Sequence, residues 1–349
     1  MSRILIIGGT GSLGRKLIER MLPNDEVAVY SRDEAKHWTI KNELSSGPLA
    51  PRLNDLRFYV GDVRDPSRVR DVLRQYQPSV VIIAAALKQV DTCELSPSES
   101  VLTNLLGTQN VIDAVNELGS VANVEKVLFV STDKACSPVN VYGMCKAVSE
   151  RVVTSQARTG LKNGCKYLAV RYGNVLESRG SIVPLFKYQG MYGEFLTVTD
   201  PDMTRFLMTL DDSVDLIEHA LQYGASGETW IPRLPSMRVG DLAEIFAEKY
   251  KKEVKLIGLR PGEKQHEDLI NESESPRTSV FDNLGSATHY VIGPAFNAGS
   301  GKTFTYTSSD DVMTKDALRL HLARLGVLDA PLSNFKGLSI EEIVTNRKD

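Results

Sequence analysis

The chain has 349 residues, 42% apolar and 24% charged, with a formal net charge of −3. That length buries a large core in one or two domains, and so mild a charge gives no reason to expect nucleic acid or an anionic membrane surface as partner. The longest apolar run, Val80 to Leu87, falls far short of the ~20 residues of a membrane span.

Arg3 to Ile7 reads as a buried strand, too short for the apolar region of a signal peptide, running straight into a glycine loop. Leu13 to Met21 is a helix with Leu13, Leu17, Ile18 and Met21 on one face. Glu26 to Tyr30 and Arg57 to Val60 are strands, the latter ending at Gly61-Asp62. Ser67 to Arg74 is helical, Ser79 to Ala84 a strand, and a long helix runs from about Pro97 to Leu118. Lys126 to Ser131 is a strand, Tyr142 to Thr159 a helix and Tyr167 to Arg171 a further strand. Strict alternation of this kind predicts an α/β fold, a doubly wound parallel sheet of Rossmann type. Ligands bind such sheets beyond the carboxyl ends of the strands. The glycine loop, Asp62, Ala84 to Lys88, Ser131 to Lys134 and Arg171 to Asn174 all lie there.

After about residue 175 the order loosens. Ser178 to Ser181, Asp200 to Arg205, Ile231 to Met237 and Arg260 to Lys264 are loop-like. Leu210 to Tyr223 and Val239 to Lys251 have helical periodicity. Ser273 to Gly301 reads as loops with short strands, and Ile340 to Val344 as a short helix before a charged tail. The expected division is a dinucleotide-binding domain over 1–175, with its core continuing through part of 205–235, a smaller substrate lobe over 176–330, and a tail over 331–349. The cysteines Cys93, Cys136, Cys145 and Cys165 lack C-x-x-C spacing and read as reduced thiols in a cytoplasmic protein. No metal site is expected.

Gly8-x-x-Gly11-x-x-Gly14 lies between a strand and a helix. Glycine is needed there for a tight turn and for close approach of a pyrophosphate, while the helix N-terminus supplies amide donors. NAD-binding chains usually end the second strand in Asp or Glu. Tyr30-Ser31-Arg32-Asp33, with Lys36 one turn on, instead offers a hydroxyl and a guanidinium to a 2′-phosphate, which favours NADP over NAD. Asp62 is placed for the adenine edge.

Tyr142 and Lys146 stand four apart on one helix face, so the ammonium is expected to favour a phenolate that takes the proton of a sugar hydroxyl as hydride leaves its carbon. Thr132 can hydrogen-bond the same hydroxyl. Asp133-Lys134 sits where substrate should lie. A ketone at C4 of a hexose acidifies the C5 proton. A neutral Lys134, its pKa lowered by Lys146 and a cationic nicotinamide, would remove that proton, while a protonated Asp133 serves the departing C6 hydroxyl.

GGTGSLG, YSRDEAK, FYVGDVRD, AAALKQV, STDKACSPVNVYGMCK, VRYGNVLESRGSIVPLF, DPDMTRFLMTLDD, IPRLPSM and GLRPGEKQHE together resemble the extended short-chain dehydrogenase/reductases, from residue 3 to about 280. Within that group the chain is similar to inverting UDP-N-acetylglucosamine 4,6-dehydratases of the pseudaminic-acid and capsule type. Dehydratases of sugars lacking the N-acetyl group typically carry Asp-Glu where this chain has Asp133-Lys134. The resemblance implies catalysis by Asp133, Lys134 and Tyr142 with Lys146 and Thr132 in support. It implies a recycled NADP held by Gly8, Thr10, Gly11, Ser12, Leu13, Gly14, Ser31, Arg32, Lys36, Asp62, Val63, Ala84, Ala85, Ala86, Lys88, Asn104, Tyr142, Lys146 and Tyr172. It implies a UDP-sugar at Lys88, Asn174, Val183, Lys187, Thr204, Arg205, Arg260 and Glu263, and assembly as a homo-oligomer. Two departures are conservative in size: Ala135-Cys136-Ser137-Pro138 replaces Ala-Asn-Pro, and Met144-Cys145 stands where Ala-Thr is frequent. A nucleotide-sugar 4-epimerase or 4-ketoreductase is the alternative on the same fold, and a dinucleotide-sensing protein without catalysis is a third reading.

Overall fold

The computed structural model describes residues 1–331 apart from 122, 159–163, 177, 179, 283–287, 296, 298 and 300. The expected helix at Ile340 to Val344 and the tail lie outside the described residues.

Apolar β-branched runs form the centre of the sheet: β1 (Arg3–Ile7), β2 (Glu26–Ser31), β3 (Leu56–Val60), β4 (Val80–Ile83), β5 (Lys126–Val130) and β6 (Lys166–Val170). They are hydrogen-bonded in the order β3-β2-β1-β4-β5-β6, all parallel, with Ile4 opposite both Val27 and Val80. All of β4 is buried, as strands covered on both faces must be. One apolar layer joins α1 (Ser12–Met21) to the helix Leu210–Tyr223 through Leu17, Ile18, Leu216 and Ile217. The other carries α3 (Pro66–Tyr76), Gly107–Leu118 and Val141–Ser155 through Val69, Leu73, Val111 and Val153.

Several elements differ from expectation. The helix α2 (Glu34–Ser45) was not expected; it buries only His37 and Ile40, too little for a periodic signal, although Asp33 caps it by accepting from Lys36 N at 3.0 Å. The Pro97–Leu118 run is helical but passes through a π-helical stretch at Val101–Leu106. Ile231 to Met237 is not a loop. Thr229–Pro232 joins the sheet parallel to β6, and Ser236–Arg238 pairs with Thr204–Met208. Thr278–Phe281 and His289–Ile292 extend the same sheet as antiparallel strands, so residues inside the expected lobe complete the central sheet of the N-terminal half.

The lobe has its own core. Helices Ile182–Tyr192, Val239–Tyr250 and Lys315–Arg324 close on Phe186, Leu242, Phe246 and Leu318. The first of these went unseen because it starts Ile-Val-Pro and is apolar on most sides. No helix among the described residues is long and apolar enough to cross a membrane.

Candidate active site

A cleft of about 720 Å³ runs along the carboxyl ends of the strands, under the lobe. Its floor is the glycine loop. Gly8 has φ +89°, and a Cβ there would lie 2.6 Å from the Ala85 backbone. At Gly14 a Cβ would fall 2.4 Å from Gly9, so the helix could not pack on the turn. The first turn of α1 has neither a side-chain cap nor an acidic residue, which leaves its amides and positive dipole to an anion. These features fit a pyrophosphate.

Thr10, Gly11, Ser12, Leu13, Ser31, Arg32, Lys36, Asp62, Val63, Ala84, Ala85, Ala86, Lys88 and Tyr172 line the same cleft. The Asp33 carboxylate is occupied by capping α2 and by Lys36 Nζ at 3.0 Å. Arg32 remains 57% exposed beside it, 3.8 Å from Asp62. Asp62 is clamped by Arg64, with guanidinium nitrogens at 2.7 and 3.0 Å. Asn104 does not line the cleft. It is buried and brackets Leu87, accepting from its N–H at 2.8 Å and donating to its carbonyl at 2.9 Å. Its place is to hold the Ala84 to Lys88 backbone.

Beyond β5 the chain makes a 3₁₀ turn, Asp133–Ala135, capped by Thr132. The helix Val141–Ser155 starts on Asn140, which accepts from Gly143 N at 2.8 Å and donates to Gly262 O at 2.8 Å. A Cβ on Gly143 would sit 2.2 Å from the Lys134 carbonyl, so this glycine lets turn and helix meet. The result is a hydrogen-bonded chain. Tyr142 stands at its head, with the Thr132 hydroxyl favouring its phenolate. Thr132 Oγ1 donates to Asp133 Oδ1 at 2.8 Å, and Lys134 Nζ donates to that oxygen at 3.2 Å and to Glu267 at 3.0 Å.

Two electrostatic expectations are corrected. Lys134 is not pushed toward neutrality. Burial favours the amine, but Asp133 and Glu267 outweigh it and hold the ammonium well above the ordinary lysine range. Nor is Lys146 the cation that serves Tyr142. Its Nζ turns back to the Val130 carbonyl at 2.5 Å, over the Phe129 ring, and burial lowers its pKa to about 7. Burial drives the Tyr142 phenol up to about 12, and the charge that opposes this is Lys134.

Of the residues expected around a sugar nucleotide, Lys88, Asn174, Arg205, Arg260 and Glu263 line the cleft. The Arg205 guanidinium is engaged by backbone, donating to the carbonyls of Thr204 at 2.7 Å and Lys264 at 2.9 Å. Arg260 is 40% exposed, 3.7 Å from Asp91. Val183, Lys187 and Thr204 do not reach the cleft. Val183 is buried in the lobe core, Lys187 donates to the Ala330 carbonyl at 2.5 Å, and Thr204 bonds Ser308 at 2.7 Å. Their neighbours in the chain face the ligand side, and helix phase or strand alternation turns these away. The residue that sequence reasoning missed is Glu267. It closes the GLRPGEKQHE motif, but nothing local marks that glutamate as 2% exposed.

A doubly wound sheet with a glycine loop and a Tyr-Lys helix over its switch edge defines an extended short-chain dehydrogenase/reductase of the nucleotide-sugar group. The chain belongs to the polysaccharide biosynthesis protein family, whose profile matches residues 4–288. It is 39% identical to a UDP-glucose 4-epimerase of Rickettsia bellii over 290 residues, 80% of this chain and 81% of that one. It is 40% identical over 338 residues to an uncharacterized membrane protein of Methanocaldococcus jannaschii, covering 93% and 96% of the two chains. Among solved structures, Pen from Bacillus thuringiensis superposes with TM-score 0.84 at 33% identity, covering 93% of this chain and 98% of its own. The dTDP-glucose 4,6-dehydratase DesIV of Streptomyces venezuelae, solved with NAD, shares the fold at TM-score 0.65 and 23% identity, covering 75% and 86%.

Proposed function

We propose that this chain is a lyase that removes water from UDP-N-acetylglucosamine, giving the 4-keto-6-deoxy sugar nucleotide with inversion at C5. The supporting observation is the Asp133-Lys134 pair in the cleft beside Tyr142, with the Asp133 carboxylate buried and the Lys134 side chain partly buried. Exchange of alcohol and ketone alone needs no such pair. A bound nicotinamide dinucleotide supplies the hydride acceptor at C4 and the hydride donor at C6. NADP is favoured, because Asp33 is spent on capping and Arg32 stands exposed where a 2′-phosphate would lie. Tyr142 takes the hydroxyl proton at C4, Lys134 the proton at C5, and Asp133 protonates the departing C6 hydroxyl. Arg260 and Glu263, which line the cleft, would meet the nucleotide.

The reading predicts product from UDP-N-acetylglucosamine with no added NADPH and no net cofactor turnover. Purified protein that leaves this sugar nucleotide undehydrated contradicts it. The relatives named UDP-glucose 4-epimerase support a second reading, 4-epimerisation. Full activity in a Lys134→Ala variant would favour that one.

A further inference from the structure

Glu267 comes from the far end of the chain's fold to the reacting centre. Its backbone is clamped by Ser308: Glu267 N donates to Ser308 Oγ at 2.9 Å, and Ser308 N donates to the Glu267 carbonyl at 2.8 Å. Thr204 holds Ser308 in turn at 2.7 Å. Lys264 fastens the same segment to the catalytic turn by donating to the Cys136 carbonyl at 2.8 Å. So fixed, the carboxylate lies in the cleft wall, 2% exposed, with Oε1 3.0 Å from Lys134 Nζ. Oε2 is buried and has no hydrogen-bond partner among the described residues. A buried carboxylate oxygen left without a donor is costly, and such groups persist where chemistry uses them. The charged and titratable groups around Lys134 are Asp133 on its own turn, Glu267 from the lobe, Arg205 on the strand Thr204–Met208, and Tyr142 on the neighbouring helix.

We propose that Glu267 is a positioning residue that aims the Lys134 side chain at the sugar, holds it as an ammonium at rest and accepts its spare proton during the reaction, so that an amine meets C5. This rests on the dehydratase reading above. The exchange is neutral within the pair. One N–H bond of Lys134 breaks, an O–H bond forms on Glu267, and nitrogen keeps the electron pair. Tyr142 likewise passes its proton through Thr132 to Asp133, leaving a phenolate and a carboxylic acid. The phenolate then takes the C4 hydroxyl proton, the amine takes the C5 proton, and Asp133 gives its proton to the departing hydroxyl as water. The proton left on Glu267 matches the one that C5 regains when hydride returns to C6. Every group then ends as it began.

The test uses the full chain with its cofactor and two variants, Glu267→Gln and Glu267→Asp. The first readout needs no turnover: acylation of Lys134 against pH, followed by peptide mass spectrometry. With Gln in place of the carboxylate, the midpoint falls by about one pH unit or more. The second readout is kcat on UDP-N-acetylglucosamine. In the wild type the proton moves internally, so kcat is flat with pH through neutrality. In Glu267→Gln the amine loses its aim and its proton must leave to solvent, so kcat drops about a hundredfold at neutral pH despite the lower midpoint and rises about tenfold per pH unit, with KM nearly unchanged. Glu267→Asp restores the flat profile at a lower rate. An unshifted acylation midpoint, or a Glu267→Gln enzyme with the wild-type rate and profile, overturns the proposal while leaving the dehydratase reading in place. A wild type that removes no water overturns the function, and the acylation midpoint still decides whether Glu267 governs Lys134. Should the Gln variant fail to fold, a Glu267→Asp enzyme that is folded yet steeply pH-dependent overturns the proposal.

Discussion

Two charge clusters in this chain are built to opposite rules. In the first, Arg171 lies between Glu150 and Glu274. Its nitrogens donate to Glu150 at 2.5 and 3.1 Å, to Glu274 at 2.8 Å twice, and to the Leu269 carbonyl at 2.8 Å. Arg151 and the Asn271 N–H add further donors to Glu274. In the second, Lys134 lies between Asp133 and Glu267, yet Asp133 Oδ2 and Glu267 Oε2 are buried with no partner among the described residues. The first cluster closes on itself away from the cleft and joins β6, the helix Val141–Ser155 and the segment after Leu269. The second opens on the cleft with acceptor capacity to spare. A satisfied buried network specifies structure, whereas a half-satisfied one survives only where a ligand or a proton completes it.

The contrast can be broken at either cluster. Lys134→Ala should cut dehydration by about 10³-fold or more, the scale of losing a general base, measured as product formed per turnover of folded enzyme. Its cost to stability should be the smaller of the two clusters, because the carboxylates it strands border the cleft. Arg171→Met should do the reverse. It strands the buried Glu150 carboxylate and strips Glu274 of its main partner, at a cost of about 3–5 kcal/mol, read from chemical unfolding, while whatever folded protein remains keeps the Lys134 chemistry.

Lys146 sharpens the comparison through pH. Burial lowers its pKa from 10.5 to about 7. Between those values the unfolded chain binds a proton that the folded chain does not, so stability should rise with pH across that window. Lys146→Met should flatten that rise and lift Tm at neutral pH by about 2 °C or more. A Lys146→Met protein that melts at a lower temperature throughout would show that the amine is stabilising instead. The smallest effect is expected at the cofactor. Arg32→Ser should weaken NADP about tenfold relative to NAD, the worth of one exposed phosphate contact, in competition binding of the two dinucleotides.

What the sequence revealed was local. The alternation of β1 to β6 with helices, and the glycines at 8, 11 and 14, show because burial on both faces and a tight turn are written in adjacent residues. Asp133, Lys134 and Tyr142 were legible for the same reason. Contacts across the fold were not. Glu267 reaches Lys134 only because Thr204 and Ser308 pair across the lobe, and that register has no local mark. Asn104, Val183, Lys187 and Thr204 sit on the right segments, but their side chains turn away from the cleft, and orientation is fixed by packing that no short motif records.

The central claim is that Lys134 takes a hydrogen from C5 after the neighbouring carbon has been oxidised. The direct measurement is mass spectrometry of the product made from UDP-N-acetylglucosamine in deuterated water. The account predicts a sugar nucleotide lighter by one water and carrying a solvent deuteron at C5. A C4 epimer of unchanged composition with no deuterium at C5 would contradict it.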